Sequence, residues 1–190
     1  MSKTLNRLGP LPGDPTKEEM VERMLRVDQA GEFGAKRIYA GQIAVLGETD
    51  DGPLLREMAA TEERHLERFN QLLTERGVRP TFLSPLWHVA GFALGASTAL
   101  LGREAAMACT VAVEEVIEEH YKGQLTLLGS DLMEGGEPEL EAVISEFRDD
   151  EISHKQSALA ASAETAPVHP LLSAAVKTGS RLAIWLSERI

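Results

Sequence analysis

The chain is poor in cysteine, in aromatic residues and in positive charge. Its 190 residues include one cysteine, Cys109, and aromatic side chains make up 5%. A single cysteine builds no intramolecular disulfide, no Cys-x-x-Cys redox pair and no thiolate metal cage. Lys and Arg number 19 against 30 Asp and Glu, a formal net charge of −11. That balance excludes non-specific nucleic-acid binding, which needs clustered Lys and Arg against phosphate. No segment sustains period-two alternation, so no sheet is predicted. There is no low-complexity tract. Met1 to Pro15 lacks the apolar core and small-residue cleavage site of a secretory signal, and also the Arg- and Ser-rich pattern of a transit peptide. With Cys109 unpaired, the expected setting is a reducing compartment such as a bacterial cytoplasm. What the chain has is an ordinary apolar fraction of 43% and a length that fits one domain. We expect that domain to span residues 1–190, with 1–15 flexible.

The apolar residues recur at helical spacing almost throughout. Thr16 and Glu19 form a capping box, and Met20, Met24, Val27, Ile38 and Val45 follow in a helix expected to stop at Gly47. Asp51 is placed to cap a second helix, with Pro53 in its first turn and Gly77 at its end. Ser84 and Pro85 open a third helix. A fourth runs from about Glu104 to Leu128. Glu137 and Pro138 open a fifth, expected to reach about Glu164, and a sixth covers about Leu171 to Arg189. Four long helices and two shorter, more apolar ones predict an all-α bundle.

The third helix is unusual. From Phe82 to Gly102 the sole ionisable residue is His88. The run is near the length of a membrane-spanning helix, but Ser84, Pro85, His88 and several glycines dilute it. A buried core helix and a membrane-facing helix are both consistent with it.

Two Glu-x-x-His motifs stand out, Glu62–His65 and Glu151–His154. Residues three apart on a helix share a face, so each pair can ligate one metal jointly. Either pair alone is more readily a surface pair. Two further glutamates change that reading. Glu32 lies among small and apolar neighbours (Gly31, Ala35, Tyr39), where a carboxylate is costly unless paired or bound to metal. Glu114 shares a helix face with Met107, Val111, Ile117 and Tyr121, whereas Glu115 shares one with Glu118, Glu119 and Lys122. The order is Glu, Glu-x-x-His, Glu, Glu-x-x-His on four successive long helices, a faint internal duplication. This is the ligand pattern of ferritin-like di-iron and di-manganese carboxylate bundles. Mixed carboxylate and imidazole donors suit iron that cycles between oxidation states. Asp150, four before His154, rivals Glu151, but the matching 62/65 spacing favours Glu151. Asp28 and His120 are candidates for orienting the ligands, and His120 is equally readable as a core histidine.

The strings RVDQAGEFGAKRIYAGQ (26–42), LWHVAGFALGASTALLG (86–102), AMACTVAVEE (106–115) and FRDDEISH (147–154), with the ending RLAIWLSERI, resemble the demethoxyubiquinone hydroxylase family of ubiquinone biosynthesis. The resemblance covers roughly residues 17–190. It implies a ferritin-like four-helix bundle with two additional apolar helices and two iron ions bridged by carboxylates. It implies O2-dependent hydroxylation of the ring of a demethoxyubiquinol, with Glu32, Glu62, Glu114 and Glu151 acting through the di-iron centre. The metal ligands it implies are Glu32, Glu62, His65, Glu114, Glu151 and His154, in agreement with the spacing. Eukaryotic members begin with a transit peptide, so the resemblance points to a bacterial protein at the cytoplasmic face of the inner membrane.

A polyprenyl quinol substrate gives the apolar segments a purpose. The helices near 82–102 and 171–189 are expected to form a peripheral membrane platform, with Trp185 at the interface and Lys177, Arg181 and Arg189 toward headgroups. An ordinary bundle-capping role is the alternative for the sixth helix. The reductant is external. A nicotinamide nucleotide such as NADH, the quinol itself and a partner protein all stay open, since no Rossmann-type glycine motif is present. The family also works with a lipid-binding partner in some organisms. Among rivals, an iron-storage shell conflicts with the apolar third helix, a rubrerythrin-like peroxidase needs more cysteine, and a tRNA hydroxylase needs a basic surface. A metal-free helical scaffold is the plainest rival.

Overall fold

The computed structural model of the chain describes residues 13–161 and 169–190. The expected flexible stretch 1–15 lies mostly outside this range, as does the expected continuation of the fifth helix from residue 162 to Glu164. The described residues form six α-helices and one short 3-10 turn, with no strand. The helices are α1 (Lys17–Leu46), α2 (Gly52–Glu75), α3 (Ser84–Leu100), α4 (Arg103–Leu128), α5 (Pro138–Ala160) and α6 (His169–Ser187), with the 3-10 turn at Asp131–Met133. This is the all-α bundle that the apolar periodicity predicts, of the ferritin-like kind that the resemblance implies.

Most boundaries follow from local chemistry. The Thr16 side chain accepts from the Glu19 backbone N–H, and the Glu19 carboxylate accepts from the Thr16 N–H. Gly77 and Gly102 adopt φ +65 and +119, which lets the chain reverse after α2 and before α4. Asp51 behaves differently from its expected capping role. It precedes α2, but its side chain makes no cap hydrogen bond. Both of its carboxylate oxygens instead accept from Arg103, at 2.7 and 2.8 Å, tying the start of α2 to the start of α4.

Four main helix pairings build the fold. α1 packs on α2 and α4 packs on α5, closing the four-helix bundle. On the opposite side α3 lies along α1 and α6 lies along α4. The duplication visible in the sequence therefore extends further than its carboxylates. Each half supplies a glutamate helix, a Glu-x-x-His helix and an apolar helix, in that order. The bundle interior holds two apolar clusters. The larger includes Leu25, Phe69, Tyr121, Leu140 and Phe147, and the smaller includes Tyr39, Leu55, Met58, Met107 and Val111. Along α1, α2 and α5 the residues that carry ligand chemistry fall between these two clusters. Cys109 is buried in the larger one, and burial pushes its thiol up to about 12. No helix among the described residues is long and apolar enough to cross a membrane.

Candidate metal centre

The site is assembled from mid-helix residues, where backbone hydrogen bonding already fixes the main chain. Glu32 comes from α1, Glu62 and His65 from α2, Glu114 from α4, and Glu151 and His154 from α5. All six are buried. Glu62, His65 and Glu151 are fully so, and Glu32 and Glu114 are each 1% exposed. The six fall into two overlapping groups whose donor atoms lie within 4.8 Å of one another. One group is Glu32, Glu62, His65 and Glu151; the other is Glu62, Glu114, Glu151 and His154. Glu62 and Glu151 belong to both.

Buried polar atoms are normally hydrogen-bonded. Here both oxygens of Glu62 and of Glu151, one oxygen each of Glu32 and Glu114, and Nδ1 of both histidines have no hydrogen-bond partner. His65 Nδ1 stands 3.4 Å from Glu151 and 3.6 Å from Glu32. His154 Nδ1 stands 3.1 Å from Glu62 and 3.7 Å from Glu151. The orphaned lone pairs thus face one another across short gaps, as donors do around a shared cation. Four carboxylates and two imidazoles also form the hard, mixed O/N set that suits iron.

The electrostatics of the metal-free chain say the same. Burial drives the Glu62 and Glu114 carboxyls well above the usual carboxylate range, and Glu151 pushes both further. Glu151 feels the same upward push from burial, but His154 and His65 outweigh it and bring its carboxyl down to about 2. Burial lowers the His65 imidazole, yet the facing Glu151 and Glu32 carboxylates raise it to about 10. Without a cation, two glutamates are driven toward protonation and a histidine is held charged.

Side chains that the sequence reading passed over hold the six in place. Tyr39 on α1 donates to Glu114 on α4 at 2.6 Å, and Tyr121 on α4 donates to Glu32 on α1. Gln42 on α1 donates to the Ala106 carbonyl and to Thr110 on α4, while Gln124 on α4 donates to Asp28 on α1 at 2.7 Å. The spacing Glu-x6-Tyr-x2-Gln occurs at 32/39/42 and again at 114/121/124. That repeat was readable in the sequence, and the chain has just two tyrosines. Asp150, weighed above as a rival ligand, lies outside both groups and bonds His65 Nε2 at 3.0 Å. This leaves Nδ1 directed at the cluster. Phe147 stacks on the His65 ring at a centroid distance of 3.8 Å. Asp28 and His120 touch each other, at 3.3 Å, and both touch Gln124; neither hydrogen-bonds one of the six.

On the far side of α1 and α4 lies an apolar cleft of about 380 Å³, walled by α3 and α6. Its lining includes Gly31 and Val113, the immediate chain neighbours of Glu32 and Glu114, together with Trp87, Leu94 and Ile184. Trp87 Nε1 donates to Ser187 Oγ at 3.0 Å and links the two walls.

The chain is similar to known proteins of one family. The family described as ubiquinone biosynthesis protein COQ7 matches residues 19–187. A Rhodospirillum rubrum protein named 3-demethoxyubiquinol 3-hydroxylase is 55% identical over 181 residues, covering 95% of this chain and 83% of that protein. A Dictyostelium discoideum protein named NADPH-dependent 3-demethoxyubiquinone 3-hydroxylase, mitochondrial, is 51% identical over 98% of this chain and 85% of its own length. The human protein of the same name is 51% identical over 93% of this chain and 81% of its own length.

Proposed function

The chain belongs to the family of the ubiquinone biosynthesis protein COQ7, and from that premise we propose that it is a di-iron monooxygenase, a 3-demethoxyubiquinol 3-hydroxylase. We read its 190 residues as one domain. The observation that carries the reading is the pair of overlapping four-residue groups sharing Glu62 and Glu151. In this reading Glu32, Glu62, His65, Glu114, Glu151 and His154 would hold two iron ions, with Glu62 and Glu151 common to both groups. Two bound iron ions would supply the activation of O2.

The overall change balances as follows. A ring C–H bond of the quinol becomes C–OH, the second oxygen atom of O2 leaves as water, and two electrons and two protons are consumed. The relatives from Dictyostelium and human are NADPH-dependent by name, which supports a reduced nicotinamide nucleotide as electron source. The chain's own residues prepare the site. Tyr121 and Tyr39 each engage one oxygen of Glu32 and Glu114 and leave the other toward the centre. Asp150 and Phe147 fix the His65 ring. The cleft between α3 and α6 excludes water and offers an apolar seat for the quinol beside the glutamate helices.

The same reading assigns the exposed apolar face to a lipid surface, at the cytoplasmic side of a bacterial inner membrane. Leu86, Val89 and Phe92 on α3, and Leu171, Leu182 and Trp185 on α6, are exposed. Arginines cover the exposed aromatics. Arg37 lies over Phe92, Arg79 over Phe82 and Arg189 over Trp185. These are the cations placed to meet headgroups. Lys177 and Arg181 are paired with Glu115 and Glu119 of α4, as Arg189 is with the adjacent Glu188. A lipid-binding partner that delivers the quinol would dock on this same face.

The test is direct. Iron-loaded protein, given NADPH, 18O2 and a demethoxyubiquinol with two isoprene units, is expected to form product carrying one 18O, and iron-free protein none. Absence of labelled product with NADPH, NADH or chemically reduced protein would overturn the assignment.

A further inference from the structure

Six glycines lie inside α1, α3 and α6, although glycine is a poor helix former. They divide into two kinds. A Cβ on Gly95 would stand 1.9 Å from the Ile38 carbonyl oxygen, one on Gly41 would stand 2.3 Å from the Phe92 carbonyl oxygen, and one on Gly91 would stand 2.9 Å from Arg37. These three let the backbones of α1 and α3 touch, and packing accounts for them. A Cβ on Gly31, Gly34 or Gly179 would meet no atom within 4 Å. Packing gives no reason for glycine at those three positions, and alanine would serve the helix better. All three line the apolar cleft, Gly31 and Gly34 on α1 and Gly179 on α6.

We propose that Gly31, Gly34 and Gly179 set the width of the cleft and so determine whether the flat ring of a prenylated quinol can enter beside the metal centre. This rests on the reading of the cleft as the quinol seat. Carbon atoms pack at about 3.5–4.0 Å, so the clearance left at each glycine accommodates ring atoms in contact with bare backbone. A methyl group at any of the three takes up that space. Gly31 and Gly34 flank Glu32 in the chain, so the space they leave lies along the helix that presents this glutamate. They are specificity-determining positions, distinct from the residues that hold the ions.

Trp87 lines the cleft and reports on it, because quinones quench indole fluorescence. The experiment titrates a demethoxyubiquinone with two isoprene units into the protein, with and without iron, in a Trp185→Phe background. Quenching of Trp87 gives Kd, and circular dichroism gives helix content and Tm. Gly31→Val and Gly34→Val are expected to raise Kd about tenfold or more, the scale of one misplaced group in an apolar pocket. The Ala forms should raise it less, in order of added volume, with Tm unchanged or higher. Gly123→Val, at an exposed position on α4 outside the cleft, should leave Kd unchanged. Folded Val variants that bind as tightly as the parent overturn the proposal while leaving the quinol seat intact. If the Val forms lose helix, the Ala forms decide: parental Kd in all three overturns it. A parent chain whose Trp87 is not quenched overturns the quinol seat itself.

Discussion

The two halves of the molecule use one design and differ in two places. Residues 17–102 and 103–190 each supply a glutamate helix, a Glu-x-x-His helix and an apolar helix. The tyrosine and glutamine that follow each glutamate reach across to the other half. The halves differ first in how the apolar helix is attached. α3 is held to α1 by backbone contact at glycines, whereas α6 packs on the bundle with Val176 in the larger apolar cluster and the ion pairs Lys177–Glu115 and Arg181–Glu119 to α4 at its rim. They differ next at the polar ends of the α1–α4 pair. Thr110, bonded to Gln42, occupies one end, where Asp28 and His120, bonded to Gln124, occupy the other. The shared parts belong to the metal centre. The unshared parts concern how one cleft wall is fixed and where a titratable pair sits.

The largest expected effect tests the shared part. Glu62→Gln and Glu151→Gln should each abolish binding of both ions and lower turnover by about 10³-fold or more, near 4 kcal/mol of barrier. Glu32→Gln and Glu114→Gln should each cost one ion, since each belongs to one group. Iron per chain and the thermal shift on iron addition separate the cases. At 100 Kd of free metal the parent gains about 2.7 kcal/mol, and the Glu62 and Glu151 variants should gain nothing. Equal loss of both ions from all four variants would break the correspondence between the halves.

The second prediction concerns the walls. Gly95→Ala forces a methyl group into the Ile38 carbonyl and should destabilise the chain by about 1–3 kcal/mol or more. Gly179→Ala meets nothing and should stabilise it by about 0.5–1 kcal/mol. Urea melts of the two variants decide. Similar behaviour would show that both walls tolerate movement to the same degree.

These contrasts also show what a sequence can and cannot convey. The six candidate ligands were legible because residues three apart on a helix share a face, and because Glu32 and Glu114 sit where a charge needs a reason. The fold class followed from apolar periodicity. Partnerships across helices were not legible, because they depend on how two helices are rotated against each other. Glu115 and Glu119 read as solvent-facing, and they do face away from the bundle, where Lys177 and Arg181 of α6 reach them. Asp51 read as a helix cap because capping is local chemistry, while its actual partner, Arg103, lies 52 residues away. Asp150 sits next to Glu151, and only the approach of α2 decides that it serves His65 rather than a metal.

The smallest expected effect addresses the Asp28–His120 end. Burial lowers the His120 imidazole, but Asp28 beside it outweighs this and holds it above its ordinary value. Burial raises the Asp28 carboxyl, and His120 offsets only part of that rise. Both groups therefore bind protons more tightly in the folded chain than in the unfolded one. The sign follows: the stability His120 contributes is fully present below its ordinary value of about 6.5 and is lost as pH rises through the raised folded value. Asp28 acts in the same sense at lower pH. Tm of the parent should fall from pH 6 toward alkaline pH more steeply than that of His120→Gln, with the two curves converging once the imidazole is neutral. Thr110→Val, at the matching end, removes a hydroxyl that does not titrate and should shift Tm equally at every pH. A His120→Gln curve parallel to the parent would mean that the two ends differ in residue identity alone and not in charge.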